Sequence, residues 1–250
     1  MHIKQIVVNI PHSAPVPDDF SKWSNPCIAR QEAVKWNDSN IDVVFRDPKH
    51  RILEGMNALK FPAVILHKAS FNRYTVDMER LVNDPMEAQG QGIIYTATKD
   101  GKSIRTVSDE ERESLMEAYD RYHEILRNLT AAYGTLLIDA HSYPSDYDEA
   151  GNATGEDVDV CIGFNDEHDA SYPGKEIIDL VKAHFEMGGY KVGLNRPFSN
   201  SILGSFGTPS IMIELNKRIY IDEKTQELRP DAYKLNYHIS DLYGKLLSMK

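Results

Sequence analysis

Two histidines in this chain follow apolar runs directly. Ile6-Val7-Val8-Asn9-Ile10-Pro11 leads into His12, and Leu136-Leu137-Ile138-Asp139-Ala140 leads into His141. A third run, Ile211-Met212-Ile213-Glu214-Leu215, carries one carboxylate among apolar residues. Charged residues are rarely buried unless they are paired or bind a metal. Open α/β sheets gather their ligands at the carboxyl ends of their strands. Two imidazoles and a carboxylate on three strands therefore fit a metal-assisted hydrolytic site. Three unrelated surface residues are the plain alternative.

A catalytic zinc takes three protein ligands from His, Asp or Glu and keeps one position for water. His12 and His141 are the candidate nitrogen ligands. Asp139 precedes His141 by two residues, so strand alternation points both side chains to one face. There it could hold the ring tautomer of a liganding histidine. No short HxxE motif follows His12, because the third residue on is Pro15. Asp38 and Asp42 are four apart and share a face if their segment is helical. A helix cap and a solvated turn account for them without a metal, and from the residues alone that is the preferred reading.

Glu214 must be paired, coordinated or poised as a base with a raised pKa. An arginine salt bridge is its structural explanation. Arg73 and Arg80 lie in Asn72-Arg73-Tyr74-Thr75-Val76-Asp77-Met78-Glu79-Arg80, after an expected strand. Arginine grips carboxylates in bidentate fashion, although surface arginines are common. His50, His67, His123, His168, His184 and His238 show no ligand spacing, and His123 and His184 read as packing or surface residues of helices.

The elements that must position these residues alternate along the chain. Strands are expected at 5–10, 63–67, 136–140, 158–164, 190–194 and 211–215. Helix-like spacing covers 28–45, and helices are expected at 108–133, 176–187 and 230–248. In the longest of these, Ser108 and Glu111 fit a capping box and Gly134 fits the stop position. Its Leu115, Met116, Tyr119, Tyr122, Ile125, Leu126 and Leu129 recur at helical spacing. Strands alternating with helices imply an α/β fold, a single three-layer domain spanning 1–250 with a mixed, largely parallel sheet flanked by helices. Two long polar segments, 143–157 and 195–208, flank the expected site, and long loops are often binding loops.

The bulk numbers exclude several classes. A length of 250 residues can bury a sizeable core as one domain. A formal net charge of -10 argues against a nucleic-acid partner. No apolar run approaches the roughly 18 residues that span a membrane. The opening Met1-His2-Ile3-Lys4-Gln5 lacks the layout of a signal peptide. Cys27 and Cys161 form no CxxC motif and read as two reduced, partly buried thiols, so a cytoplasmic location is expected.

Taken together, the motifs resemble the N-formylglutamate amidohydrolase family, which is related to zinc carboxypeptidases and aspartoacylases. Pro11-His12-Ser13 is similar to the family's opening Pro-His-Ser. Asp38 to Asp42 resembles its Asp-x-x-x-Asp segment, and Arg73 to Arg80 its Arg-Tyr-x-x-Asp-x-Asn-Arg segment. Asp139 to Ser142 resembles its Asp-x-His-Ser strand, and Asn195-Arg196-Pro197-Phe198 its Asn-Arg-Pro-aromatic turn. Ile213-Glu214-Leu215-Asn216 and Tyr220-Ile221-Asp222 are similar to its closing motifs. These segments run in family order from residue 7 to residue 222.

The resemblance implies a zinc-carboxypeptidase-like fold and a hydrolase of carbon–nitrogen bonds other than ordinary peptide bonds. It implies zinc, or another divalent metal, on His12, His141 and Asp38, with Asp139 behind the second histidine. It also implies Glu214 as general base. Arg73, Arg80, Asn195 and Arg196 would face a small substrate bearing a carboxylate, such as an N-acyl amino acid. A zinc peptidase or deacylase of another substrate, and a catalytically silent metal-binding protein, are the rival readings. One position departs from the pattern: Glu79 stands where the family has Asn. An amide donates hydrogen bonds to a substrate carboxylate, and an ionised Glu cannot. The glycine-rich turn after the aromatic is also changed, to Ser199-Asn200-Ser201.

Overall fold

Six apolar runs pair into one sheet. They are β1 (Gln5–Ile10), β2 (Val64–Lys68), β3 (Thr135–Tyr143), β4 (Val160–Gly163), β5 (Val192–Leu194) and β6 (Ser210–Asn216), in the order β2-β1-β3-β6-β4-β5. Strand β3 runs parallel to β1 and to β6, and β5 runs parallel to β4. Strand β4 is antiparallel to β6. The sheet is thus mixed and mostly parallel, as the alternation of strands and helices predicts. The structure is a computed structural model that describes residues 2–17, 19–47, 63–145, 158–200 and 207–249. His50 and parts of the two long polar segments fall outside the described residues.

The helices are α1 (Pro26–Lys35), α2 (Ile41–Val44), α3 (Asp109–Thr130), α4 (Lys175–Met187) and α5 (Ala232–Leu247). Contacts divide the chain into two units that interleave in sequence. The first holds residues 1–10, 40–67 and 128–250, and the second holds 11–39 and 68–127.

The first unit contains the sheet with α2, α4 and α5. Register gives the sheet two unlike faces. Val8 pairs with Ile138, Ile138 with Ile211, and Ile162 with Ile213. Ile6, Val8, Ile10, Leu136, Ile138, Ala140, Val160, Ile162, Ile211, Ile213 and Leu215 belong to one buried core with Val181, Phe185, Leu235, Ile239, Leu242 and Leu246. Burying each such side chain is worth about 1.5–3 kcal/mol. The four α5 residues Leu235, Ile239, Leu242 and Leu246 keep the four-three-four spacing of one helix face. The intervening strand residues point the other way, and they carry the polar groups Asn9, Asp139, His141, Glu214 and Cys161.

The second unit packs α1 against Tyr74, Tyr95, Ile104 and Phe20. Helix α3 lies almost wholly in it and begins as the capping signal predicts, with Glu111 N–H donating to Ser108 Oγ at 3.2 Å. Asp109, Glu110 and Glu111 in its first turn favour the helix dipole. The helix stops at Thr130, short of residue 133, and Gly134 serves the following turn with φ of +84°. Of its apolar stripe, Leu115, Tyr119, Tyr122 and Leu126 are buried, whereas Ile125 is exposed because it falls one position off that face.

The helical spacing over 28–45 proves to be two helices. Asn40 adopts a left-handed φ of +64° and breaks the run between α1 and α2. Asp38 therefore sits in the turn and Asp42 in α2, so the two do not share one helix face.

Candidate active site

In the second unit the site is built around Asp77. Its neighbours are fixed by backbone contacts: Asp77 N–H donates to Ile93 O at 2.7 Å, and Asp38 N–H donates to His12 O at 3.0 Å. Arg105 ties the surrounding segments together. Its Nε donates to Tyr95 O at 2.8 Å, and its Nη2 donates to Thr75 O at 2.7 Å. The guanidinium also stacks 4.7 Å from the Trp23 ring.

Asp77 itself is fully buried and accepts from several groups. Oδ1 takes the His12 ring Nε2 at 2.8 Å and the Glu79 backbone N–H at 3.0 Å. Oδ2 takes Tyr95 Oη at 2.8 Å and Arg73 Nη2 at 3.1 Å, with Arg80 Nε at 3.5 Å. Burial pushes the Asp77 carboxyl up, but Arg73, His12 and Arg80 together hold it well below the usual carboxylate range. Burial and the Asp77 charge raise Tyr95, so the phenol keeps the proton that it donates. Sequence reading left both residues unassigned.

An ionised Asp77 can only accept, so the His12 ring carries a hydrogen on Nε2. The other ring nitrogen, Nδ1, is 3.7 Å from Asp38 Oδ2 and 3.7 Å from Glu79 Oε2. Imidazole nitrogens and carboxylate oxygens are the donors that hold divalent metals in hydrolases. The sequence-chosen pair His12 and Asp38 is thus brought together, with Glu79 beside it. Arg73 and Arg80 converge on Asp77 and on the Tyr95 hydroxyl, at 3.4 Å and 3.1 Å from the latter.

In the first unit the polar sheet face carries the remaining candidates. His141 lies within β3 rather than after it, and its register partner on β6 is Glu214. Glu214 in turn opposes Cys161 on β4. All three are buried. Asp139 shares the face of His141, with Oδ1 at 3.4 Å from its Nε2. The same oxygen accepts from Asn9 Nδ2 at 2.8 Å. A carboxylate so placed steadies the imidazole from behind. Each of His12, Asp38 and His141 is buried and offers an atom suited to a metal.

Asn195 and Arg196 are exposed in the turn after β5. The Asn195 amide is spent on backbone: its Oδ1 accepts from Phe164 N–H at 2.8 Å and its Nδ2 donates to Phe164 O at 3.1 Å. The turn folds back so closely that a Cβ on Gly193 would stand 2.2 Å from Arg196 O. Cys161 is buried and donates its Sγ–H to Phe198 O at 3.1 Å, whereas Cys27 is an exposed free thiol rather than a partly buried one.

With this geometry in hand, the chain can be compared with known proteins. The model of the N-formylglutamate amidohydrolase family matches residues 4–221. The chain belongs to that family. Family members hydrolyse amide bonds, so the chain is an amidohydrolase by membership. A crystal structure of N-formylglutamate amidohydrolase from Ralstonia eutropha JMP134 is similar at 20% identity and a TM-score of 0.74, covering 99% of this chain and 94% of that one. A gene product from Agrobacterium tumefaciens is similar at 17% identity and a TM-score of 0.64, over 98% of this chain and 90% of that one. At these identities the two structures share the family's fold. No curated protein matches the chain. No helix among the described residues is long and apolar enough to cross a membrane.

Proposed function

We propose that the chain is a metal-dependent amidohydrolase acting on a small N-acyl amino acid. His12, Asp38 and His141 would hold the ion, zinc or another divalent metal. The observation that carries this reading is the anchoring of His12: Asp77 fixes Nε2 at 2.8 Å and turns Nδ1 toward Asp38. Hydrolytic metal sites orient their histidines in this way. When bound, the metal supplies water acidic enough to attack near neutral pH and polarises the amide carbonyl.

Glu214 takes the proton of the attacking water and passes it to the leaving amine nitrogen. Its place opposite His141 in the register supports that role, since both groups rise from one sheet face. Arg73 and Arg80 keep N–H groups beyond those given to Asp77, and these grip a substrate carboxylate. Arg196 adds a third cation from the turn that Asn195 clasps in shape.

The test joins metal analysis with turnover. Purified protein is assayed for bound metal and screened over N-acyl amino acids of varied acyl group. Metal with turnover is expected. Stoichiometric metal without turnover across the panel would favour a silent binding protein, and turnover restricted to peptides would favour a peptidase. Glu214→Gln is expected to keep the metal while lowering kcat by about 100- to 10,000-fold, the usual weight of a general base. A fully active variant would remove Glu214 from the reaction.

A further inference from the structure

We infer that Phe198 is a specificity residue, whose ring walls the space over Glu214 and takes an apolar side chain on the amino-acid half of the substrate. The inference rests on the amidohydrolase reading above. It narrows the substrate class to N-acyl amino acids with one carboxylate and an apolar side chain.

The sheet register places Phe198. Strand β6 lies between β3 and β4. Glu214 on β6 is the register partner of His141 on β3 and of Cys161 on β4, and Asn216 on the same face opposes Tyr143. Two strand spacings set β3 about 10 Å from β4. Phe198 reaches both strands. Its carbonyl accepts the Cys161 thiol at 3.1 Å, and its ring meets that of Tyr143 edge-on with centroids 5.1 Å apart. A residue fastened on either side of β6 lies across β6 itself, at the level of Glu214 and Asn216. Burial pushes the Tyr143 phenol up, and nearby Cys161 and Glu214 act in the same direction, which agrees with one compact cluster.

The turn that carries the ring is fastened independently. The Asn195 amide clasps the Phe164 backbone, and the missing Cβ of Gly193 admits Arg196 O. A selective wall needs such support behind it.

The chemistry of the wall follows from where its polar atoms go. Tyr143 Oη donates to Val158 O at 2.8 Å, and Asn216 Nδ2 donates to the same carbonyl at 3.2 Å. Asn216 Oδ1 accepts from Arg218 N–H at 3.2 Å, and the Arg218 guanidinium holds Asp159 at 2.9 Å. Tyr143 is buried and Phe198 half-buried, so the ring of Phe198 offers an incoming group its carbon surface. An apolar side chain gains by burial against that surface. A second carboxylate would shed water there and face the Glu214 charge. The base works beside the leaving nitrogen, so the group against Phe198 belongs to the amino-acid half.

The experiment measures kcat and KM in the presence of Zn²⁺ for the N-formyl and N-acetyl derivatives of L-leucine and L-glutamate. The wild type, Phe198→Ala and Phe198→Leu are compared, with circular dichroism as the check of folding. The wild type is expected to favour leucine over glutamate by about tenfold or more in kcat/KM. Phe198→Ala should lower that ratio by about tenfold, through KM rather than kcat, and Phe198→Leu should restore most of it. A wild type that favours glutamate would overturn the inference without recourse to a variant. A Phe198→Ala loss that falls equally on both amino acids would overturn it too. Either result leaves the amidohydrolase reading standing, whereas no turnover of any N-acyl amino acid by the wild type would overturn both.

Discussion

Replacing Asp77 with Asn removes one charge and leaves the side-chain volume nearly unchanged. The cost can be worked from the contacts. The carboxylate accepts from His12, Glu79 N–H, Tyr95 and Arg73, and it stands 3.5 Å from Arg80 Nε. An amide has one oxygen. If that oxygen stays with Tyr95 and the arginines, the NH₂ group faces His12 Nε2 and the Glu79 N–H. Two accepting contacts are lost, one from an imidazole and one from a backbone amide. Hydrogen bonds to a charged group contribute about 1.5–3 kcal/mol each, and breaking a buried pair costs about 3–5 kcal/mol. The Arg73 and Arg80 side chains remain 19% and 25% exposed, so solvent offsets part of the loss. The expected destabilisation is about 3 kcal/mol, within the 5–15 kcal/mol that a domain has to lose. Urea unfolding in the presence of chelator measures it. Metal affinity should fall as well, because His12 must accept at Nε2 and carry its hydrogen on Nδ1. A loss of less than about 1 kcal/mol, with metal affinity unchanged, would refute the placing of Asp77 at the centre of this network.

Other perturbations separate other parts of the argument. Gly193→Ala places a methyl 2.2 Å from Arg196 O, and thermal melting should show a loss of about 1–3 kcal/mol as the turn shifts. Ile138→Ala empties a fully buried site on the apolar sheet face and should cost about 2–5 kcal/mol, while the kcat of the folded fraction stays near the wild-type value. His184 and His238 stack at 3.9 Å, with Lys245 Nζ 3.0 Å from His184 Nδ1. Burial, and the neighbouring cation in each case, push both imidazoles below the ordinary histidine value of 6.5. The unfolded chain therefore takes up protons first. Stability from this pair is full above about pH 6.5 and declines as pH falls through that value toward the lowered folded pKa. His238→Phe keeps the stack and should flatten the decline between pH 7 and 5 in urea titrations.

Strand positions were readable because alternation writes burial directly into the residues. Strands β1 and β6 fall at or within one residue of the expected bounds. The sequence predicts that β3 ends at Ala140, yet pairing carries it to Tyr143, because its polar residues meet partners on β6 rather than solvent. The 28–45 segment misled for a different reason. Helical spacing runs on through Trp36 to Asn40, and nothing in composition announces the left-handed turn at Asn40. Among site residues, His12 and Asp38 are joined by the backbone bond that closes their two loops. Asp77 stands in the arginine segment, but sequence alone gives it no role because its main partner, His12, is 65 residues away. Its contacts with Arg73 and Arg80 do sit at local spacings of four and three, a signal that could have been used. The family resemblance implies Asn195 as a substrate contact, and the path of the turn brings its amide onto the Phe164 backbone.

The two-faced sheet sets a rule for how this chain can diverge. Positions 6, 8, 10, 136, 138, 140, 160, 162, 211, 213 and 215 answer only to packing, and aliphatic side chains can trade places there. Positions 9, 139, 141, 161 and 214 lie between them and carry the polar groups, among them the proposed metal ligand His141 and the proposed base Glu214. On the proposed function, packing and chemistry would constrain alternate residues of the same short stretches. Substitution is cheap on one parity and consequential on the other, whereas a single inserted residue in β3 or β6 exchanges the two sets at once. Drift in this fold should accumulate by replacement within strands, and changes of length should be confined to the connections.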